Sequence, residues 1–524
     1  MPTLTWRRGS IPRMFASALM TDDRGRPRRL FEIMAALTAM LLAIAAGYLA
    51  ARGTGGGAMQ SAFQSPERLV LAIIGVLALV LIFQRPEWGL LAVVVLLYTN
   101  ASDAVVHDFG LPSPLQVATI VAALAVLHRV NLREFAPSGA RVVLDPLLIP
   151  LSLYGAAIFL SSLAAMDLEV ADERLMEFLK GLLVFVVMTN LATSKAMLRR
   201  IIWALVLSGA FLATISAYQV LTGSYDNEFA GFGNIKVAEI VAESRKPRIA
   251  GPLSDPNFYA QILVMLAPIA LYRFWDEQSP GRKALAGYAL FVVALASVST
   301  FSRGGAIALA FVTALALVQK KVRLRHLVPV LLALLPLSYL APQSVSDRLG
   351  TLVQLAPTAA DDTDASVADS SFRDRRRLMT VAWQMFSDHP LIGVGAGNYS
   401  DHFDQYADQV GMTVSSYEKF GREHFPHNLY LQFAAELGVT GLLAFAAIVV
   451  ASFAALRRAY ARFAAAGDIE SADMVVSVAL GLLAFLVTSL FLHGTYIRYM
   501  WLLVAIAAAA RQIALRTSQE HGGG

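Results

Sequence analysis

The chain has 524 residues, of which 56% are apolar and 15% charged, with a net charge of +5 and a mean hydropathy of +0.57. Soluble domains average roughly 45–50% apolar and about 25% charged, so a soluble enzyme on a tether is excluded and the bilayer is the solvent for most of the chain. The absence of cysteine removes disulfides, thiolate nucleophiles and cysteine-based metal sites.

Arg7, Arg8, Arg13, Arg24, Arg26, Arg28 and Arg29 mark residues 1–30 as a basic cytoplasmic segment. The apolar run that follows, 31–50, exceeds the roughly 7–15 residues of a signal-peptide core and reads as an uncleaved first helix. Further spans fall near 69–84, 88–100, 115–128, 146–165, 178–193, 201–220, 257–275, 285–301, 304–318, 327–341, 428–454, 474–492 and 499–515. They predict an all-α, polytopic membrane bundle of about 12–14 transmembrane helices. Residues 31–341 form its first part, with an external loop over 221–256; 342–427 form one large periplasmic loop containing short helices; 428–515 form the C-terminal transmembrane helices, and 516–524 a cytoplasmic tail.

Alternation from a cytoplasmic N-terminus puts Arg129 to Arg141, Lys195 to Arg200, Arg273 to Lys283, Lys320 to Arg325 and Arg457 to Arg462 on the inside, so both termini are expected there. Positive charge on the other side needs a local reason. It is concentrated in two groups, Arg245, Lys246 and Arg248, and Arg373, Arg375, Arg376 and Arg377. The polar stretch holding the second group ends among His424 and His427, so guanidinium and imidazole groups gather on one side, as an anion-handling membrane protein requires.

Three segments carry the chemistry. In "RIAGPLSDPN", Arg248 to Asn257, Gly251, Pro252 and Pro256 shape a turn, Ser254 or Asp255 can cap the helix that begins near Pro256, and the amides at that start favour an anion. A capped helix with a surface arginine accounts for the same residues. In "FSRGGA", Arg303 lies between two apolar runs, where an ionised guanidinium costs about 2.5–3.5 kcal/mol on insertion scales unless it is paired or reaches water. Snorkelling explains the arginine; Gly304 and Gly305 point in addition to a close backbone approach.

The third segment starts at Arg373, where Leu378, Val381, Ala382 and Met385 share one helical face. It continues as "HPLIGVGAGNY" and "EHFPHNLYLQFAAELGVTGL". The glycines lack the preceding strand and the following Lys-Ser/Thr of a nucleotide loop. Glu423, His424 and His427 approach zinc-ligand spacing, but Pro426 breaks the helix that would align them and no third ligand is evident. Interfacial hydrogen bonding is the plain alternative for the histidines.

These four stretches, in this order among many spans, resemble the bacterial O-antigen ligase and O-antigen or exopolysaccharide polymerase family over roughly Arg199 to Ile448. The resemblance implies a GT-C-like glycosyltransferase in the bacterial inner membrane, active on the periplasmic face, using a glycan on undecaprenyl diphosphate and needing no cofactor, nucleotide sugar or metal. It matches Arg248, Arg303 and His427 to catalytic positions, and Arg373 or Arg376 to the basic helix before the glycine loop. Asn257, Asn428, His424 and Glu423 are further candidates for substrate contact.

The physics agrees with that matching. Fixed guanidinium donors stabilise a departing diphosphate without a metal, and an imidazole can take the acceptor hydroxyl's proton. A single displacement would invert the anomeric configuration. The expected partners are a lipid-linked donor, a glycan acceptor and membrane lipids, with a chain-length regulator and a flippase, and no nucleic acid. A polymerase is expected, because the long loop and extra N-terminal spans offer surface for holding polysaccharide; an O-antigen ligase acting on lipid A-core is the alternative. From a different class, an anion or bicarbonate-type transporter would also suit the arginines, although neither inverted repeats nor midplane polar groups are evident.

Overall fold

The computed structural model describes residues 80–109, 112–134, 142–239, 245–321, 366–410, 424–495 and 497–522. The expected spans at 31–50 and 327–341, most of 69–84, and Glu423 lie outside them, as does the side chain of Arg373. The chain divides into two compact units, residues 1–93 with 105–141, and residues 94–104 with 142–524. In the first unit, helices α2 (Ala101–Phe109, in part) and α3 (Pro114–Glu134) follow α1 (Pro86–Thr99), whose residues from Val94 onward belong to the second.

The second unit contains α4 (Leu148–Ser162), α5 (Leu168–Leu191), α6 (Lys195–Thr222), α7 (Pro256–Asp276), α8 (Pro280–Ser299), α9 (Arg303–Gln319), α10 (Ser366–Asp388), α11 (Tyr399–Gln409), α12 (Leu429–Ala465), α13 (Ile469–Thr488) and α14 (Arg498–Gly522). Among the described residues, α6, α7, α8, α12, α13 and α14 are long and apolar enough to cross a membrane, and α1, α4, α9 and residues 114–128 are shorter apolar helices. The protein is an all-α polytopic membrane bundle. One departure is a hairpin inside the expected loop 221–256, in which β1 (Asn234–Glu239) pairs antiparallel with β2 (Arg245–Gly251).

Helix starts follow local capping chemistry. Asp167, Ser194, Asp255, Ser302, Asn428 and Asp468 each accept a hydrogen bond from an otherwise orphaned amide in the first turn of the helix they precede. The apolar windows of α7 and α14 are each 83% buried, against 33% for α8 and 39% for α12, so α7 and α14 are the centre of the unit. The outer faces expose Leu153 and Phe159 on α4, Phe291 on α8, Phe311 on α9 and Val450 on α12, a surface suited to lipid.

Long-range contacts sort the helix ends into two sets. At one end, fully buried Arg273 of α7 bonds Asp276 (3.3 Å), Glu277 (3.4 Å) and Glu470 of α13 (2.9 Å), while Lys320 after α9 reaches Asp276 (3.2 Å) and Asp473. A buried guanidinium survives in such a place only with this many acceptors. At the other end, the amide of Leu429 at the start of α12 donates to Ser489 O after α13 (3.0 Å), and Arg248 reaches the end of α8.

α12 is broken at Gly438, whose φ of 65° and ψ of −162° lie outside helical space. The backbone groups this frees are taken up by the glycine loop between α10 and α11: Val394 N donates to Ala435 O (2.9 Å), Gly395 N to Glu436 O (3.2 Å), Val439 N to Pro390 O (2.8 Å) and Thr440 N to Leu391 O (3.3 Å). Irregular backbone at membrane depth is tolerated where protein satisfies it in this way. The glycines are what permit the fit. A Cβ on Gly393 (φ +72°) would lie 2.2 Å from the Glu436 carbonyl, and one on Gly438 would lie 2.4 Å from that of Leu391. The loop therefore packs against a helix and leaves no room for a nucleotide. Val381, Ala382 and Met385 of α10 are fully buried against Tyr399, Phe403 and Ala435, with Leu378 partly buried beside them, which is the face read from the sequence.

Candidate functional site

The site is built around the first turn of α7. Asp255 Oδ1 accepts from the amides of Asn257 (2.7 Å) and Phe258 (3.3 Å), and Pro256 fills the first helical position, where no amide is needed. Strand β2 delivers Arg248 to the same place. Its Nε donates to Thr300 O (3.0 Å) and its Nη2 to Asn257 Oδ1 (3.3 Å), so Arg248 joins α7 to the end of α8.

Three residues beyond Thr300, Arg303 opens α9 and is exposed. Ser302 Oγ caps this helix by accepting from Gly305 N (3.3 Å). The close approach foreseen at the two glycines is present. A Cβ on Gly305 would lie 2.8 Å from Ala260 Cβ of α7, and one on Gly304 would lie 2.9 Å from the ring of Phe491, so neither position has room for a side chain. Two helix N-termini and their arginines are thereby held together.

The basic helix α10 adds a third guanidinium, and it is Arg375. Burial holds this group below the ordinary arginine range, repulsion from Arg303 pushes the same way, and Asp255 opposes them. Arg376 is exposed, and Arg373's side chain lies outside the described residues. Arg375 was not among the residues singled out from the sequence, because four arginines in five positions give no local sign of which one faces inward.

His427, with φ of 48°, immediately precedes α12. Its ring lies 5.6 Å from that of His493, in the loop between α13 and α14, and His493 in turn stacks on Phe425 (4.0 Å, 4°) and meets Phe258 of α7 edge-on (4.9 Å, 86°). The aromatic chain connects the imidazoles to the helix that positions Arg248. Burial first, then His427, then Arg174 of α5, pushes the His493 imidazole down to about 3, so it is neutral at physiological pH.

Asn428 is occupied as a cap: its Oδ1 accepts from Leu431 N (3.0 Å) and its Nδ2 donates to Leu490 O (3.1 Å). Asn257 serves Arg248. Each therefore positions a neighbour. His424 sits against α11, stacked on Phe403 (4.0 Å) with its amide on Ser400 Oγ (3.0 Å).

Buried Glu436 ties the site's loops to α12. Its carboxylate accepts from Gly397 N (3.1 Å) and from Gln432 Nε2 (3.0 Å), while Gln432 Oε1 accepts from Gly494 N (2.7 Å), next to His493. Glu436 was not singled out from the sequence, although an acid within an apolar run is a signal that could have found it. Arg174 and His493 carry no such signal, because the charge of one acts on the ring of the other between segments distant in sequence. Among the described residues, no group of three or more His, Cys, Asp or Glu side chains is arranged to hold a metal ion.

The depressed His493 value has a testable consequence. Between its ordinary value of about 6.5 and the folded value of about 3, only the unfolded or opened loop takes up the proton, so stability is full above about pH 6.5 and falls as pH drops toward 3. Thermal unfolding of wild type and His493→Phe across this window should show a weaker acid dependence in the variant.

Fold and site together define a multi-pass helical membrane protein with guanidinium and imidazole groups collected at one end of its helices. Residues 288–446 match the family model of the O-antigen ligases, so this stretch is similar to that family. The matched region contains Arg303, Arg375, His427 and Glu436, and leaves out Arg248, Arg174 and His493. Its class of activity is glycan transfer of the ligase and polymerase type. No curated protein matches the chain.

Proposed function

We propose that the chain is an inner-membrane glycan polymerase, transferring an oligosaccharide or polysaccharide from undecaprenyl diphosphate to a lipid-linked repeat unit on the periplasmic face. The observation that carries this reading is the convergence of Arg248, Arg303 and Arg375 on the N-termini of α7 and α9, with His427 linked to the same helix through His493 and Phe258.

In the proposed step an acceptor hydroxyl oxygen bonds to the anomeric carbon as the carbon–oxygen bond to the diphosphate breaks. The bonding pair leaves on the diphosphate, where guanidinium groups and helix N-termini stabilise it. The hydroxyl proton passes to the His427 imidazole. A single displacement of this kind inverts the anomeric centre.

The family's name favours a second reading, a ligase with lipid A-core as acceptor. One preparation separates the two. Purified protein given only lipid-linked repeat units should produce a ladder of lengthened glycans. Transfer that occurs only when lipid A-core is added would replace the polymerase by the ligase, and no transfer with either acceptor would remove both.

A further inference from the structure

At the end of the bundle away from these arginines, a cavity of about 680 Å³ opens between the segment leading into α4, the last turns of α12 and the second half of α14. Arg458 and Arg462, four residues apart and both exposed, line it from α12; Arg511 and Gln512 line it from α14, and Leu144 and Asp145 from the segment before α4. Asp145 is the one acid in this lining. Its Oδ2 accepts from Arg511 Nη2 (2.7 Å) and Gln512 Nε2 (2.8 Å), and its Oδ1 from Leu147 N (2.9 Å).

Three arginines thus line a cavity whose one carboxylate already accepts three hydrogen bonds. Arg511 is only 8% exposed, and its Nε has no hydrogen-bond partner. Arg458 has no hydrogen-bond or ion-pair partner among the described residues. The rim is apolar and open, with Leu144 74% and Leu515 37% exposed. Hydrocarbon chains would cover such a rim, whereas a soluble anion would leave it in water.

We propose that this cavity binds the phosphate headgroup of an anionic glycerophospholipid from the leaflet at that end, with Arg458 and Arg462 holding the phosphate oxygens and the acyl chains lying over Leu144 and Leu515. Anionic lipids are drawn to basic pockets between helices at the membrane surface by the same charge. The site is separate from glycan transfer and stands or falls without it.

The full-length protein is released from nanodiscs of phosphatidylcholine, alone or mixed with phosphatidylglycerol, and retained lipid is read by native mass spectrometry. Wild type should retain phosphatidylglycerol selectively. Arg458→Gln/Arg462→Gln should lower its retention about thirtyfold, two cationic groups at about 1 kcal/mol each, with unchanged thermal stability in phosphatidylcholine. Arg458→Lys/Arg462→Lys should stay within a fewfold of wild type. Equal retention of the two lipids by wild type, or undiminished retention by the glutamine variant, overturns the proposal. Displacement of the lipid by inorganic phosphate overturns it as well, since the site would then take a free anion.

Discussion

His427→Ala is expected to lower the turnover of glycan transfer by about a hundred- to ten-thousandfold, the range for losing a positioned general base, while membrane insertion is kept. His427 precedes the cap residue Asn428, whose bonds to Leu431 N and Leu490 O do not involve the imidazole, so truncation leaves the turn standing. His493 does not replace it. Half-buried and packed against the rings of Phe425 and Phe258, its imidazole is pushed down to about 3 and is too weak a base to take the proton. Turnover measured with purified lipid-linked substrate decides the matter, and a His427→Ala enzyme with wild-type turnover would end the general-base assignment.

Arg303→Ala should cost about a hundred- to a thousandfold in the same assay, as expected when a preorganised donor to a developing negative charge is lost. Arg303→Lys should recover only part of this, because an ammonium supplies a point charge where a guanidinium supplies a planar fork. The effect should appear mainly in turnover, since Arg303 is exposed and its loss relieves Arg375 of a like charge. Lys283→Ala, an exposed change at the opposite end, should leave transfer unaltered. Full activity of Arg303→Ala would sink the proposed grip on the diphosphate.

The parts of this architecture governed by local pattern were readable from the sequence. Apolar runs located the spans, Ser-Asp-Pro announced the start of α7, and the face formed by Val381, Ala382 and Met385 has helical spacing. Gly304 and Gly305 marked a close approach, although nothing local named Ala260 and Phe491 as the neighbours. What depends on tertiary contact was hidden. Arg375 and Arg376 are adjacent in one basic run, and only the packing of α10 decides which is half-buried. His493 lies between two apolar helices with no motif around it, and its partners come from positions 258, 425 and 427. The glycine loop illustrates the same limit: its flanking residues argued against a nucleotide loop, yet its fit to the break in α12 depends on Gly438, far along the chain.

That fit determines how the glycine loop between α10 and α11 can behave. Lifting Pro390–Gly395 off α12 would break four backbone hydrogen bonds and strand their donors and acceptors near hydrocarbon, where each unsatisfied group costs several kcal/mol. A flap that swings aside once per catalytic cycle cannot be anchored in this manner. The loop is better compared to a keystone: under the proposed function, substrates would reach His427 around it, and a growing sugar chain would slide past a stationary wall.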